Sequence, residues 1–599
     1  MRGPYIKREI IKDASMVRSL CAAFAAILTF SSPAFSQTSD DVDSGKAELS
    51  ASFLSGFSGA YLAGRHAASQ SNVDEAGAYF SKALARDPGN AGLMEQTVIY
   101  QTAAGRVKEA LPIARHLLEL DPSHRTATLL LTVKEFTDGD FEAAKARLDE
   151  KPEAYHPLIH TLLAAWATNG VGEAPASFDA LDERPIFQIF GGYHKGLIAA
   201  LEGDLEAADT AFQDAIKELR APTGRMANAY GAVLRLKGDN EGAKSLYDAA
   251  IGVSVGDAML EAEIASLAAG ETPKLLVNSP QEGAAEALFG LASALGQGQE
   301  AESRLSLFYA RLAQYLHPEL ADAALLSAEI LEGQEQYSLA VNAYESIPGD
   351  SPLSRSAEIG RAEALFRLEE NDKAVEALTT LSRREPDAID VQLALGDLMR
   401  RLERFAEGAV AYDKAIKLMS AQGRENWVLF YERGICYERS DQWDLAINDF
   451  RKSLELEPDQ PLVLNYLGYS WLDRGENLEE ALEMVRKAVE QRPEDGYIID
   501  SLGWGYYLTE DFENAVIQLE KAVEFRPVDP VINDHLGDAL WQVGRKLEAE
   551  FQWKRALSFE PEEKDLQRII RKLKVGLDDV LEQERSEADD ASATAKDGG

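Results

Sequence analysis

Cysteine is almost absent from this chain of 599 residues, which contains only Cys21 and Cys436. Cys21 lies in an N-terminal segment with the features of a cleaved signal, so the mature chain would retain Cys436 alone. A single cysteine cannot form an internal disulfide, and this excludes a disulfide-stapled fold. Cys436 follows a glycine of a predicted helix by two residues, where we expect a buried, unreactive thiol.

Positive charge is scarce as well. The chain has 61 Lys and Arg residues against 101 Asp and Glu residues, a formal net charge of −40. Such a surface repels phosphate backbones at long range, so we expect no nucleic-acid partner. The solubility of a large exposed surface accounts for this acidity, and the recruitment of cations is the alternative explanation.

Apolar runs of membrane length are also missing. Basic residues from Arg2 to Arg18 precede a short apolar run over residues 20–30, and small residues lead to Ser36. This pattern predicts a secretory signal peptide over residues 1–36 that is cleaved near Ser36. The run is too short for a stable membrane-spanning helix. We therefore expect a periplasmic protein of a Gram-negative bacterium, possessing no integral membrane span after cleavage.

Two alternatives remain for the N-terminus. Met16 is a second possible start, because Met16-Val17-Arg18 alone would supply a normal basic region. The signal would otherwise stay uncleaved as an anchor. Residues 37–50 are polar and acidic, which predicts a flexible leader in the mature chain.

Motifs of catalysis are missing too. The sequence has no H-E-x-x-H, Walker A, G-x-S-x-G or paired C-x-x-C motif. Residues 296–301 have a dinucleotide-like glycine spacing, but no predicted strand precedes them. His156 and His160 are four residues apart near Glu153, a spacing able to hold a divalent metal, although two incidental histidines on a helix are far commoner. We expect no enzyme, no cofactor and no metal.

The sequence does contain a repeat. Glycines recur every 34 or 35 residues, and two small residues, one bulky residue and one proline follow each glycine in step. The four copies, over residues 426–563, contain Gly434, Ala446, Phe450, Ser453 and Pro458; Gly468, Ala481, Val485, Ala488 and Pro493; Gly503, Ala515, Leu519, Ala522 and Pro527; and Gly537, Ala549, Trp553, Ala556 and Pro561.

Each of these recurring residues has a role in helix packing. Small residues let the two helices of a pair, helix A and helix B, approach closely, and the bulky residue fills the gap between them. Proline cannot continue helix B and so ends it. One pair cannot bury its apolar face alone, so each copy uses the next copy as its core. Unrelated amphipathic helices would not keep these marks in phase.

The spacing resembles the tetratricopeptide repeat (TPR), whose pattern is W-x2-L-G-x2-Y…A-x3-F…P. The resemblance implies an all-α fold, an α-solenoid in which TPR helix-turn-helix units form a right-handed superhelix with a concave wall. Weaker copies extend the repeat pattern beyond the four clear ones. We expect an N-terminal array with degenerate repeats over residues 51–318, a middle group over 319–425 and the C-terminal copies over 426–563. A capping helix over 564–581 and a disordered acidic tail over 582–599 should follow. We expect one degenerate pair within 153–195 and two pairs within 252–318.

TPR proteins usually bind partners through the residues of helix A that face the concave wall. With each repeat glycine as position eight, the inward positions are two, five, nine and twelve. The groove predicted from these positions contains Tyr431, Asn465, Tyr469, Tyr497, Asp500, Trp504, Tyr507, Asp538 and Trp541. Tyr and Trp are favoured anchors in protein interfaces, whereas packing against a neighbouring helix is the alternative for each single aromatic residue.

The charges of this wall indicate the type of ligand. A carboxylate clamp, which binds the C-termini of chaperones, places Lys, Asn and Arg inward, whereas this wall presents Asp500, Asp534 and Asp538. The acidic residues favour a ligand of basic or aromatic character. We expect Asn465 and Asp500 to hydrogen-bond the backbone of an extended ligand.

Three segments show a narrower resemblance. Residues 464–469 (LNYLGY), 500–504 (DSLGW) and 535–541 (HLGDALW) are similar to exported bacterial TPR proteins. That group includes outer-membrane lipoproteins that serve as adaptors for a periplasmic carboxyl-terminal processing protease, although no lipobox cysteine stands at the cleavage site of this chain. The resemblance implies a periplasmic, non-catalytic scaffold or adaptor, with the protease as a candidate partner. The alternative is a TPR spacer subunit of an envelope assembly or of a polysaccharide or protein export system.

Overall fold

A computed structural model of the protein describes residues 56–173, 178, 181, 185–217, 219, 221–252, 256–296 and 300–586. The predicted signal peptide and leader lie outside these residues, as does the tail from residue 587 onward. The described residues form helices joined by turns and contain no strand. The predicted all-α solenoid of stacked helix pairs is therefore confirmed. None of the helices in this part of the chain is long and apolar enough to cross a membrane.

The chain divides into two compact units, residues 1–381 and 382–599. The helices up to the division are α1 Phe57–Ser69, α2 Val73–Leu84, α3 Ala91–Ala103, α4 Val107–Leu120, α5 Arg125–Asp138, α6 Phe141–Glu150, α7 Pro157–Gly170, α8 Pro185–Leu201, α9 Leu205–Ile216, α10 Gly224–Leu236, α11 Asn240–Ile251, α12 Ala258–Ala268, α13 Pro280–Leu295, α14 Glu300–Leu316, α15 Ala321–Gly333, α16 Tyr337–Glu345, α17 Ser354–Arg367 and α18 Asn371–Arg384, which contains the division.

The helices of the second unit are α19 Ile389–Arg401, α20 Phe405–Ala421, α21 Trp427–Arg439, α22 Trp443–Leu456, α23 Pro461–Arg474, α24 Leu478–Gln491, α25 Gly496–Leu508, α26 Phe512–Phe525, α27 Pro530–Gln542, α28 Lys546–Ser558 and α29 Glu563–Val575. The predicted boundaries at 318 and 425 do not coincide with the division into units, and the grouping of the repeats stays a prediction.

Helices α25 and α27 of the second unit begin at aspartate caps. Asp495 accepts a hydrogen bond from the backbone N–H of Tyr497, and Asp529 accepts from those of Val531 and Ile532. These carboxylates satisfy backbone donors that a helix start leaves unpaired, and their negative charge suits the positive end of the helix dipole. Aspartate thus fixes where these helices start.

A left-handed residue ends each A helix and turns the chain into helix B. In the four clear copies this residue is Asp441, Gly475, Glu510 or Gly544, with φ of 60°, 67°, 62° and 81°. A non-glycine residue pays a conformational cost there, so the turn is imposed by the packing of the helices on both sides. The same conformation recurs at Gly172 after α7 and at Gly270 after α12, as expected if both are A helices.

The small residues pack as predicted. A Cβ added at Gly537 would lie 2.4 Å from Cδ1 of Trp553, and one added at Gly503 would lie 2.6 Å from Cγ of Leu519. These distances are too short for any side chain larger than hydrogen. The glycine of helix A therefore accommodates the bulky residue of helix B.

The structure corrects the predicted helix pairs of the middle region. Residues 252–318 contain one single helix, α12, and one pair, α13 and α14, instead of two pairs. Residues 271–279, where the B helix of α12 would lie, are non-helical and contain Pro273. In the other degenerate stretch, 153–195, α7 is an A helix, and much of the segment where its B helix is expected lies outside the described residues.

The pair α13–α14 fills the inner face of the first unit. Helix α13 packs on α5, α7 and α8, and helix α14 packs on α3, α4 and α5. A Cβ at Gly283 of α13 would lie 2.3 Å from the indole of Trp166 in α7, so the two helices are in close contact. Arg304 of α14 donates a hydrogen bond of 3.1 Å to the hydroxyl of Tyr100 in α3. The concave surface of these repeats is thus occupied by the chain itself.

A buried ionic network holds this pair in place. The carboxylate of Glu286 in α13 is 3% exposed, accepts two hydrogen bonds of 2.8 and 2.7 Å from Arg225 and accepts a third of 2.9 Å from Tyr193. Arg225 also pairs with Asp322 at 2.7 Å. Because a buried carboxylate is costly without partners, these contacts couple α8, α10, α13 and α15 into one unit.

The C-terminal cap differs from the predicted single helix. Helix α29 ends at Val575, Gly576 takes φ 89°, and residues 577–586 form a further helix. The predicted capping helix, residues 564–581, is therefore two helices, and the predicted start of a disordered tail at 582 is wrong. Glu584 pairs with Arg568 of α29 at 3.0 Å, so the second helix is anchored to the first.

Candidate protein-binding groove

Four of the predicted groove residues are buried, and Tyr431 and Asn465 are two of them. Tyr431 is 8% exposed and packs against Phe450 and Tyr466, with ring centroids 6.2 and 5.9 Å away. Burial raises the pKa of Tyr431, as expected for a ring within the core. Its prediction as an accessible anchor is wrong, because the ring fills the space between neighbouring repeats. Asn465 is also 8% exposed, but its amide makes no hydrogen bond among the described residues, and its Oδ1 is buried.

The residues Trp504, Tyr507 and His535 form a three-ring stack. The indole of Trp504 lies 4.6 Å from the ring of Tyr507 at an interplanar angle of 8°, and 4.0 Å from the imidazole of His535 at 15°. Such parallel contacts orient the rings strongly. Trp504 and Tyr507 are half-buried, so the rings present part of their surface to the groove.

Asp500 orients this stack through its contact with His535. Its carboxylate is 7% exposed and lies 3.0 Å from Nδ1 of His535. Burial alone would lower the pKa of His535, but the Asp500 charge and hydrogen bond, with Asp534 and Asp538 beyond, raise it above its ordinary value. The carboxylate of Asp500 is thus engaged by the imidazole, and a bond from Asp500 to a ligand backbone stays a prediction.

Asp538 and Trp541 are covered by the cap. Asp538 has no exposed surface, and it accepts hydrogen bonds from Lys572 at 2.6 Å and from the indole of Trp553 at 2.9 Å. The indole of Trp541 donates to Asp578 at 3.1 Å, and a Cβ at Gly576 would lie 2.8 Å from its ring. Asp538 therefore takes part in internal packing, and its prediction as an accessible groove residue is wrong, whereas Trp541 contacts the cap but stays half-buried.

Tyr497 is the most exposed of the predicted residues, at 39%. The guanidinium of Arg526 lies 4.8 Å from its ring centroid, so one face of the ring carries a cation–π contact. Tyr469 is half-buried and has no hydrogen bond to its hydroxyl among the described residues. Of the nine predicted residues, five keep some exposed surface: Tyr469, Tyr497, Trp504, Tyr507 and Trp541.

A cavity of about 100 Å³ opens beside the stack. Its walls come from α25, α27 and α29, and they are Trp504, Pro530, Val531, Asp534, His535, Pro561, Asp565, Arg568 and Ile569. Val531 is 43% exposed. The wall is apolar on one side and charged on the other.

The charges in this wall are mostly paired within the protein. Lys572 lies 2.8 Å from Asp534, and Arg568 lies 3.1 Å from Asp538. Burial and the nearby Asp538 charge raise the pKa of Asp534 to about 6. Asp565, in contrast, has no cationic partner among the residues described.

Several of these residues were missed from the sequence. His535 stands next to an inward position and was missed, whereas Val531 is itself at inward position two of the repeat frame. Asp565 and Arg568 lie outside the four glycine-marked copies, and only the fold shows that α29 stacks as the next A helix. We use the name Trp504 groove for the surface formed by Tyr469, Trp504, Val531, His535 and Asp565.

The histidine pair near Glu153 has structural roles. The Nδ1 of His156 accepts a hydrogen bond from the N–H of Leu158 at the start of α7. The Nε2 of His160 lies 3.1 Å from the carbonyl oxygen of Leu148. Over the described ranges, no group of three or more His, Cys, Asp and Glu side chains is arranged to hold a metal. Residues 297–299, the centre of the dinucleotide-like segment, lie outside those ranges.

The helix pairs, their glycine-to-bulky contacts and their 34-residue period agree with the comparisons. Residues 427–460 match a model of the tetratricopeptide repeat, and residues 47–91 and 359–422 match a second model of the same repeat. The chain contains tetratricopeptide repeats. Proteins of this kind generally act as scaffolds that bind other proteins.

Human tetratricopeptide repeat protein 13 is 32% identical to this TPR chain over 164 residues. The match covers 26% of this chain and only 18% of the human protein. Among solved structures, a TPR protein from Parabacteroides merdae matches at 15% identity with a TM-score of 0.37, over 43% of this chain and 98% of that chain. Yeast Tom70 matches at 15% identity with a TM-score of 0.33, over 90% and 99%.

Proposed function

We propose that this protein is a non-catalytic scaffold that captures other proteins through the Trp504 groove of its C-terminal repeats. The proposal rests on a contrast between the helix faces of the two units. In the first unit, the inner face of the repeats is covered by the protein's own pair α13–α14. In the Trp504 groove, Val531 and the edges of Trp504 and Tyr469 are left partly open beside a cavity. Exposed aromatic and aliphatic side chains around a pocket are typical of protein interfaces.

Site-specific crosslinking in living cells tests this proposal. A photoreactive amino acid at Val531 should attach to partner proteins, whereas the same amino acid at Leu547 should not. Leu547 is a matched control because it is an apolar residue that is 84% exposed on the B helix α28 and does not line the cavity.

Two substitutions sharpen the test. Tyr469→Ala and Val531→Asp should reduce capture of the crosslinked partners, and Leu547→Asp should leave it intact. Circular dichroism should show the same helical signal for all three variants. Equal capture by the groove variants and the control would exclude the Trp504 groove as the binding surface.

We further propose that the protein works outside the cytoplasm as an adaptor. The basic and apolar N-terminal segment, the small residues before Gln37 and the resemblance of the last repeats to exported bacterial TPR proteins support this. N-terminal sequencing of the protein from its native host should give a mature chain that begins at Gln37. A chain that retains Met1 or Met16 and stays in the cytoplasm would exclude export.

The candidate partner is a periplasmic carboxyl-terminal processing protease, with its substrates as second partners. The spacer role in an envelope assembly or an export system is the alternative, because an array of repeats can also separate two membrane components. Crosslinks from Val531 to the protease or its substrates favour the adaptor. Crosslinks to pore or synthase subunits favour the spacer.

A further inference from the structure

Three side chains form a stripe along one face of α23 at the edge of the Trp504 groove. Asn465, Tyr469 and Asp473 follow each other at intervals of four residues, which places them one above the other on the helix surface. Asn465 is buried to more than nine-tenths, yet its amide makes no hydrogen bond to any described residue. A buried polar group without a partner is costly, so this amide is suited to bond a group that arrives from outside.

The carboxylates around Tyr469 make the groove negatively charged. Burial raises the pKa of Tyr469, and the negative charges of Asp500, Asp473 and Asp565 act in the same direction. Asp500 is paired with His535. Asp473 and Asp565 have no cationic partner among the described residues. One carboxylate without a cationic partner therefore lies four residues after Tyr469 on α23, and a second lies in the wall of the cavity beside Trp504.

This arrangement favours the binding of a cationic side chain. A guanidinium or ammonium group over the ring of Tyr469 would gain a cation–π contact and would neutralise Asp473 and Asp565 together. An acidic side chain in the same place would meet like charges. The other cationic groups nearby, Arg568 and Lys572, are already engaged by Asp538 and Asp534 and do not cancel the two free carboxylates.

The cavity beside Trp504 favours a second type of side chain in the bound segment. Its volume of about 100 Å³ and its lining by Pro530, Val531 and Pro561 suit one aliphatic side chain. Asp565 both lines the cavity and acts on Tyr469, so the two subsites are neighbours. Tyr469 lies on α23, and Trp504 in the cavity wall lies on the neighbouring A helix α25. Neighbouring A helices are about 10 Å apart, which corresponds to about three residues of extended chain.

We propose that the occupant of the Trp504 groove is a basic protein segment, in which an arginine or lysine binds at Tyr469 between Asp473 and Asp565 and a nearby aliphatic residue enters the cavity lined by Val531. This proposal rests on the scaffold function proposed above and adds the chemistry of the partner. The net charge of −40 favours the same class of partner through long-range attraction.

Fluorescein-labelled peptides of equal length test the proposal by anisotropy with the full-length protein. One peptide carries an arginine and a leucine about three residues apart, a second has glutamate in place of the arginine, and a third has serine in place of the leucine. The first peptide should bind at least about tenfold more tightly than either of the others. Its affinity should fall as the salt concentration rises.

The double variant Asp473→Asn with Asp565→Asn should weaken the arginine–leucine peptide about tenfold or more and should remove most of its salt dependence. The matched control is Glu480→Gln with Glu563→Gln. It removes the same number of charges from the same region, but neither glutamate lines the cavity or acts on Tyr469. Tyr469→Phe should retain most of the affinity and Tyr469→Leu should lose it, because only the ring supplies the cation–π contact.

Equal binding of the arginine and glutamate peptides, or no binding of any peptide, would overturn the proposal. So would an equal loss of affinity in the double variant and its control. None of these outcomes decides the scaffold function, which depends on whether groove variants lose their crosslinked partners. If partner capture depends on Val531 but not on Asp473 and Asp565, the groove binds proteins of another chemistry.

Discussion

The ammonium of Lys572 lies 2.6 Å from Oδ1 of Asp538, and neither side chain reaches solvent. The same ammonium bonds both carboxylate oxygens of Asp534, at 2.8 and 2.9 Å. Asp534 and Asp538 belong to the last glycine-marked repeat, and Lys572 belongs to the cap helix α29. The cap therefore closes the array both by covering apolar surface and by neutralising two buried carboxylates.

Replacing Lys572 by methionine should destabilise the second unit strongly. Two buried carboxylates would lose their main partner, a change that typically costs about 3 kcal/mol. Arg568 remains near both carboxylates and limits the loss. Urea denaturation followed by circular dichroism measures the effect. Lys574→Met is the matched control, because Lys574 is exposed on the same turn of helix, and its unfolding midpoint should not change. Equal midpoints for both variants would show that the buried ion pairs do not stabilise the cap.

The stability of the second unit should depend on the protonation of His535. Its pKa is raised in the folded protein, so the stabilising contribution is fully present below the ordinary value of about 6.5 and is lost as the pH rises through the folded value. The difference in unfolding free energy between the wild type and His535→Gln should therefore shrink as the pH rises above about 6.5.

Measurements on the alkaline side separate this effect from that of Asp534. The pKa of Asp534 is raised to about 6, so its contribution to the free energy of unfolding changes between about pH 4 and pH 6. Above that range the contribution of Asp534 is constant. Urea denaturation over the alkaline range and an NMR titration of the His535 imidazole provide two independent measurements. An imidazole that titrates below about 6.5 would contradict the role of Asp500.

Gly537→Ala should destabilise the last repeat. The new methyl group would lie 2.4 Å from the ring of Trp553, and that ring is fully buried and held by a hydrogen bond to Asp538. Overpacking of this kind costs about 1–3 kcal/mol.

The control for this substitution is Gly333→Ala in α15. Nothing lies within 4 Å of the position of its Cβ, and alanine favours helix, so the variant should be as stable as the wild type or more stable by up to about 1 kcal/mol. Differential scanning calorimetry measures both variants, since two compact units can unfold in separate transitions. A neutral Gly537→Ala would mean that Trp553 can move.

Cys436 should resist thiol reagents in the folded protein. The thiol has no exposed surface, and burial raises its pKa to about 12, so almost no thiolate is present at neutral pH. Labelling with a chromogenic disulfide reagent should be negligible until the protein is unfolded by urea. Rapid labelling without denaturant would show that α21 opens locally on the time scale of the reaction.

The sequence predicted the A–B contacts well because they depend on local size and spacing. Gly503 and Leu519 are sixteen residues apart and meet wherever a helix, a tight turn and a second helix follow each other. The groove was predicted less well. Tyr431 and Trp541 occupy inward positions of the repeat frame, but the next A helix or the cap covers them. Inward position in one repeat does not determine exposure, because the neighbouring repeat decides how much of the ring remains open.

The sequence by itself determined the helical hairpins, their period and the acidic character of the surface, since small and bulky residues recur in phase and act over one turn and one hairpin. Only the tertiary structure decided that α13 and α14 fill the inner face of the first unit and that Lys572 and Arg568 neutralise Asp534 and Asp538. Those contacts join residues that are distant in the chain, such as Tyr100 and Arg304. No local spacing specifies such pairs, because they form only where stacked repeats bring separate helices together.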